Sequence, residues 1–273
     1  MIYVTHAQLL RLGRELAPQR RRLLQAVHEL RLATGGQLRR RFYESGASAA
    51  RLARLDLAAL HEARILHRLE RRIGGVRAGS SGFIYALGPI GRRLLELERG
   101  EGLPRGSGAW EPSIGFVDHA LAVSEVWVGL HEHLRDPLIG APTADIDFRV
   151  EQAAWRSYLD LHGAPAMLKP DAELRLTRGG FEDRWWLEVD RATERRTTIR
   201  RKLDAYAAYY RTGIEQQRSG LFPLTAWLTV SHERARVLEE VVGELPKNER
   251  RLFRVGLLSA GAPLLLSSDG GQP

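Results

Sequence analysis

The chain of 273 residues contains no cysteine. Disulfide stapling, thiol catalysis and cysteine-ligated zinc are thereby excluded, and a reducing cytoplasm is the expected compartment. Lysine is almost absent too, with 3 residues against 38 arginines. Such a bias follows from a GC-rich coding sequence, so an arginine by itself carries little information, whereas each of the three lysines stands out. No apolar run approaches the roughly 18 residues that span a bilayer. The opening MIYVTHAQLL has no basic segment leading into an apolar stretch, so neither a membrane span nor a secretory signal is expected.

What remains is globular usage, 44% hydrophobic and 27% charged, in a chain long enough for one large or two ordinary domains at about 150 residues each. The net charge of +8 is unevenly distributed. Residues 1–100 hold 19 Arg and no Lys against 8 acids, hence +11; residues 101–273 hold 22 basic against 25 acidic residues, hence −3. Codon bias explains the type of base but not this asymmetry. A basic first third ahead of a near-neutral remainder points to a nucleic-acid-binding module joined to a second domain, because phosphate contacts draw on clustered arginine.

The first hundred residues read as successive helices and a hairpin. A lead-in helix covers Thr5–Leu16, and Pro18 then opens a helix that places Leu23, Leu24, Val27 and Leu30 on one face. Thr34 precedes a short helix over GGQLRRRFY, and Ser48 is the N-cap candidate of a third running through ARLARLDLAALHEA. ILHRLERRI and FIYALGPIG, joined by the basic loop GGVRAGSSG, have the pattern of a β-hairpin. Helices followed by such a hairpin make a winged helix-turn-helix, closed by the helix between Gly88-Pro89 and Gly100. Its third helix is expected in the major groove of double-stranded DNA, with Ser48, Arg51, Arg54 and Asp56 facing bases or phosphates and Arg71, Arg72 and Arg77 on the wing. Winged helices also serve as dimerisation modules with solvated charge, and a homodimer belongs to the same reading.

GEGLPRGSGAWEP at residues 100–112 has the composition of a linker. It divides the chain into a DNA-binding domain over 1–99 and a second domain over 113–265, with a disordered tail at 266–273. In the second domain HALAVSEVWVGLHEHL is a helix, followed by strands at ADIDFRVEQ, KPDAELRL and FEDRWWLEVD, a helix at TTIRRKLDAYAAYY, a strand at LTAWLTV, a helix at ERARVLEEVVGEL and a strand at LFRVGLL. The order αβββαβαβ predicts a mixed sheet flanked by helices; with the first domain the chain combines α+β and α/β organisation. His119 and the His131-Glu132-His133 triplet do not make a zinc site, since histidines two apart on a helix diverge. Trp185 and Trp186 suit packing rather than base stacking.

On the third strand, Trp186, Glu188 and Asp190 share a face by the period of two. Acids two apart beside a sheet core repel and cost several kcal/mol to desolvate unless something relieves them. If KPDAELRL pairs with this strand across TRGG, Asp171 lies within reach of Glu188 and Asp190, and three oxygen ligands converge on one Mg²⁺. Arg191, Arg195 or Arg196 offers the alternative relief of an ion network, and Glu125 is a further candidate ligand from the leading helix.

Lys169-Pro170-Asp171, the hairpin and Glu188-Val189-Asp190 resemble the PD-(D/E)XK nuclease core, with Asp190 where that pattern has lysine. More closely, FIYALGPIGRRLL, HALAVSEVWV and KPDAELRL…WWLEVDRATE…RRKLDAYAAYY together resemble the replication-relaxation family of plasmid and mobile-element proteins. That resemblance covers most of the chain. It implies a winged helix followed by a restriction-endonuclease-like αβββαβ domain with a mixed sheet. Lys202, on the helix after the third strand, is the substitute for the missing lysine, which in that fold positions the attacking water and offsets charge in the transition state. Two functions follow: a DNA-binding protein of plasmid or mobile-element replication, mobilisation or regulation, or an Mg²⁺-dependent DNA endonuclease with Asp171, Glu188, Asp190 and Lys202 as catalytic residues and the three acids as metal ligands. The departure at Asp190 favours binding.

Overall fold

A computed structural model of the chain describes residues 4–72, 82–100, 112–136 and 144–267, with backbone alone for 70–72. Its contacts divide into two compact units between Val128 and Gly129. The first unit runs α1 (His6–Glu15), α2 (Pro18–Leu30), β1 (Leu32–Thr34), α3 (Gly35–Phe42), α4 (Ala47–Glu62), β2 (Leu66–Arg72), β3 (Phe83–Leu87) and α5 (Pro89–Arg99), and it takes in the first part of α6 (Ile114–Arg135). Residues 113–128 thus group with the first unit. The reason is apolar: Val117, Ala120 and Leu121 pack on Leu32, Leu69, Ile84 and Ala86 of the small sheet, and Ser124 donates to the Leu32 carbonyl at 2.6 Å.

Local signals account for most of these boundaries. Pro18 stands in the first turn of α2, Gly100 ends α5 in the left-handed region (φ 69°), and Thr34 and Gln37 form a reciprocal capping box at the start of α3. Ser48 is not the N-cap of α4. Gly46 takes that place at φ 118°, a conformation that favours glycine, and Ser48 becomes the second helical residue. The short strand β1 joins the hairpin to give the antiparallel order β1-β3-β2. At Gly88 and Gly91 the chain passes against the turn after α4: a Cβ would lie 2.3 Å from the Arg64 carbonyl oxygen at Gly88 and 2.2 Å from that of Ile65 at Gly91. Only glycine fits either place.

The second unit continues with β4 (Asp145–Val150), the hairpin β5 (Arg156–Leu159) and β6 (Pro165–Leu168), β7 (Ala172–Arg178), β8 (Phe181–Asp190), α7 (Arg196–Thr212), α8 (Ile214–Ser219), β9 (Leu224–Thr229), α9 (His232–Gly243), α10 (Lys247–Arg250), β10 (Phe253–Leu257) and α11 (Gly261–Leu266). Its main sheet has the order β10-β9-β8-β7-β4. β8, β9 and β10 are parallel, while β7 and β4 are antiparallel to their neighbours, so the sheet is mixed as the sequence pattern predicts. The β7–β8 turn is made by Gly179 and Gly180, both at positive φ. Trp186, Tyr206, Tyr209, Trp227, Leu238 and Phe253 join one buried cluster that fastens α7 and α9 to the sheet. The predicted tail begins inside α11, where Leu266 is buried; residues 268–273 lie outside the described ones, as do 101–111 of the predicted linker. Among the described residues no helix is long and apolar enough to cross a membrane.

Candidate functional site

In the first unit α4 buries Ala53, Leu57 and Leu60 and leaves its other side exposed. Two polar contacts fix its rotation. Asp56 accepts from Arg20 Nε of α2 at 2.7 Å and from the Tyr43 hydroxyl at 2.8 Å, so it holds the helix in place rather than facing a ligand. Ser48, Arg51 and Arg54 are exposed, and among the described residues neither arginine makes an ion pair or hydrogen bond. Arg71 and Arg72 lie at the end of β2, where only the backbone is described, and Arg77 lies outside the described residues. Glu125 is engaged within the same unit, by Arg40 at 2.6 Å and by Gln37 Nε2 at 3.0 Å.

The second unit gathers the carboxylates where β7 and β8 meet α7. Glu188 points from β8 toward α7 and is 1% exposed. Lys202 Nζ lies 2.8 Å from its Oε2, and the Tyr206 hydroxyl donates to its Oε1 at 2.8 Å. Lys202 and Tyr206 are one helical turn apart, so one face of α7 supplies both partners. Asp171, just before β7, receives the Val189 amide on Oδ2 at 2.7 Å and fastens the start of one strand to the end of the other. Lys202 also meets Glu194 at 2.7 Å.

Burial pushes the Glu188 carboxyl up to about 7, the charge of Asp171 adds to the effect, and the Lys202 and Tyr206 contacts oppose it. Lys202 is also partly desolvated, yet Glu188 and Asp171 together hold its ammonium above the ordinary lysine range. The asymmetry follows exposure: the lysine side chain is 30% exposed and the glutamate side chain 2%, so the carboxylate bears most of the desolvation cost. The Tyr206 hydroxyl is likewise raised, by burial and by the Glu188 charge.

Asp190 shares the Glu188 face but has different partners. The Ala192 amide donates to its Oδ1 at 2.9 Å and Arg234 of α9 pairs with its Oδ2. The structure therefore brings together Asp171, Glu188 and Lys202 and holds Asp190 on an arginine that no sequence pattern announces. It is an arginine relief, the kind one alternative foresaw, and it comes from α9; Arg196 pairs instead with Glu240 and Glu244. Both Glu188 oxygens and both Asp190 oxygens are occupied by protein groups, and among the described residues no cluster of three or more His, Cys, Asp or Glu is arranged to hold a metal ion. A second buried charge system joins β5, β7 and α8. Arg156, 6% exposed, reaches Glu173 at 2.6 Å and Glu215 at 3.2 Å, and Tyr209 donates to Glu215 at 2.8 Å. Lys169 lies over the Trp155 ring at 4.8 Å.

A profile of replication-relaxation proteins matches residues 24–225, about three quarters of the chain. The chain belongs to the replication-relaxation family. The match begins in α2 and ends in β9, so it takes in α4, the hairpin, the Asp171–Glu188–Lys202 grouping and Arg156 with both of its glutamates. Family membership points to a role in plasmid or mobile-element replication or mobilisation. No curated protein and no solved structure shows significant similarity to the chain.

Proposed function

We propose that the chain is a double-stranded-DNA-binding protein of plasmid or mobile-element replication or mobilisation, with α4 as the helix that enters the major groove. One observation carries the reading: Arg51 and Arg54 project, without ion pairs among the described residues, from one exposed helix of the stretch that holds all the excess positive charge, +11 over residues 1–100. The order α2, β1, α3, α4, β2, β3 with the sheet β1-β3-β2 supports it, because that is the connectivity of a winged helix-turn-helix. In such a module the helix before the hairpin lies in the groove and the hairpin reaches the adjacent backbone. Arg71, Arg72 and Arg77 then serve phosphate contact. The test is selection of bound duplexes from a random pool by the full chain and by an Arg51→Ala/Arg54→Ala variant. A motif enriched by the wild type and lost in the variant is expected, and an inverted repeat within it reports a two-fold dimer. Enrichment of the same motif by both proteins removes α4 from the interface.

A second reading is a divalent-ion-dependent DNA endonuclease of the PD-(D/E)XK kind, favoured by the grouping of Asp171, Glu188 and Lys202. It requires Mg²⁺, and the present arrangement does not fit a three-carboxylate site, since Asp190 is committed to Arg234 and Lys202 occupies Glu188. That misfit keeps binding ahead of cleavage. Nicking of supercoiled plasmid that depends on Mg²⁺ or Mn²⁺ and is lost in Glu188→Gln establishes the enzyme; absence of cutting, with no thermal shift on adding either ion, leaves the second unit as a scaffold for assembly or added DNA contact.

A further inference from the structure

Resting on the reading of α4 as the groove helix, we propose that Leu52 and Leu55 are specificity-determining residues that pack on the 5-methyl groups of thymine. Leu52 is 55% and Leu55 53% exposed. Among the described residues between 4 and 100, these are the large hydrophobic side chains that stand in solvent, and both belong to one helix. At about 100° per residue Ser48, Arg51, Leu52 and Leu55 fall within an arc of about 100°, and Arg54 lies about 60° beyond Arg51. Two leucines three residues apart on this arc make a short apolar ridge beside Arg51, which has no ion pair among the described residues.

The composition of the arc changes along the helix. Past Leu55 the same side carries Ala58, Ala59 and Glu62, so apolar bulk and positive charge both concentrate in the first nine residues, toward the N-terminal end. The N-terminal end is the part of a recognition helix that meets base edges. The charge of the module selects the occupant. A second copy of the same basic surface repels this one, and two leucines fall far short of the roughly 1,200–2,000 Å² that a stable protein interface buries. Duplex DNA supplies complementary charge, and the thymine methyl is the apolar group its major groove presents. Arg51 at the edge of the arc and Arg54 about 60° beyond it are each placed for a guanine edge or a phosphate.

The experiment measures binding of the full chain to its selected duplex by fluorescence anisotropy, with each thymine in turn replaced by deoxyuridine, which keeps every hydrogen bond and removes only the methyl group. For the wild type, loss of a contacted methyl is expected to weaken binding about three- to fivefold, the worth of one buried methyl group. For Leu52→Ala or Leu55→Ala the thymine duplex is bound more weakly, and the distinction between thymine and deoxyuridine disappears at one position each. Because the substitution on the DNA side needs no protein variant, the wild-type comparison stands whatever the variants do. Equal binding of thymine and deoxyuridine duplexes by the wild type overturns the proposal, as does a distinction that survives in both leucine variants. A change from dimer to monomer in the leucine variants with DNA affinity intact assigns the ridge to a second copy and overturns it too. Failure of the parent reading looks different: Arg51→Ala/Arg54→Ala then binds the selected duplex as well as the wild type does, and the proposal falls with it.

Discussion

Replacing Glu188 by glutamine is expected to stabilise the second unit at alkaline pH, although it removes a buried ion pair. The ordinary carboxyl value of 4.5 is pushed up to about 7 in the folded chain, first by burial and then by Asp171. At about 1.36 kcal/mol for each tenfold change in acidity, that shift corresponds to roughly 3 kcal/mol of differential stability. The folded state holds the proton more tightly than the unfolded state, so the Glu188 contribution is full below about pH 4.5 and is lost as pH rises through about 7. Between pH 5 and pH 8 the wild type should lose about 2–3 kcal/mol relative to Glu188→Gln, which has nothing to titrate there. The variant keeps an acceptor for the Tyr206 hydroxyl, and Lys202 keeps Glu194 at 2.7 Å. An amide nitrogen facing the Lys202 ammonium costs about 1 kcal/mol at every pH, so the variant should fall slightly below the wild type at pH 5 and exceed it by about 1–2 kcal/mol at pH 8. Urea denaturation followed by tryptophan fluorescence reads this, because Trp155, Trp185, Trp186 and Trp227 all lie in the second unit. A difference between the two proteins that does not change with pH, or a wild-type advantage that grows toward pH 8, refutes the reasoning: attraction by Lys202 would then outweigh burial.

Other substitutions follow from the same contacts. Gly91→Ala drives a Cβ to 2.2 Å from the Ile65 carbonyl oxygen and should cost the first unit at least about 1–3 kcal/mol, whereas Gly13→Ala, whose nearest neighbour is Leu94 Cδ2 at 3.5 Å, should be neutral or slightly stabilising; thermal melts of the two compare them directly. Arg156→Ala leaves Glu173 and Glu215 buried without their shared cation and should cost about 3–5 kcal/mol, read by urea denaturation; stability equal to the wild type would refute this. On a selected duplex, Arg51→Ala and Arg54→Ala should each lose more affinity than Arg77→Ala, while on scrambled DNA the three losses should converge; equal losses on both duplexes would reassign all three to phosphate contact.

The elements that were legible in the sequence are those in which one local signal dominates. Pro18, Thr34 with Gln37, Gly100 and the Gly179-Gly180 turn mark boundaries that the chain respects. The order β7, β8, α7, β9, α9, β10 follows from period-two and helical patterns long enough to be unambiguous, whereas α8, α10 and α11, of four to six residues each, are too short to show such a pattern. The hairpin β5–β6 is missed because its strands are four residues each, although Asp160, which accepts from the His162 and Ala164 amides, and Gly163 at φ 79° had marked its turn. Period two put Glu188 and Asp190 on one face, and the hairpin brought Asp171 to Glu188. What relieves each acid was not legible, because it depends on residues distant in sequence. Arg234 reaches Asp190 across 44 positions and Arg156 joins Glu173 to Glu215 from a hairpin. Tyr206 did leave a trace, since its spacing of four from Lys202 puts both on one helical face.

The central claim, that α4 of the first unit grips duplex DNA through Arg51 and Arg54, is tested most directly by the salt dependence of binding. Affinity of the full chain for its selected duplex is measured between about 50 and 300 mM KCl for the wild type and for Arg51→Ala/Arg54→Ala. With about four or more phosphates neutralised, log affinity should fall against log salt with a slope of about −3.6 or steeper, and the double variant should be shallower by about 1–2. A flat wild-type response, or identical slopes for the two proteins, would contradict the claim.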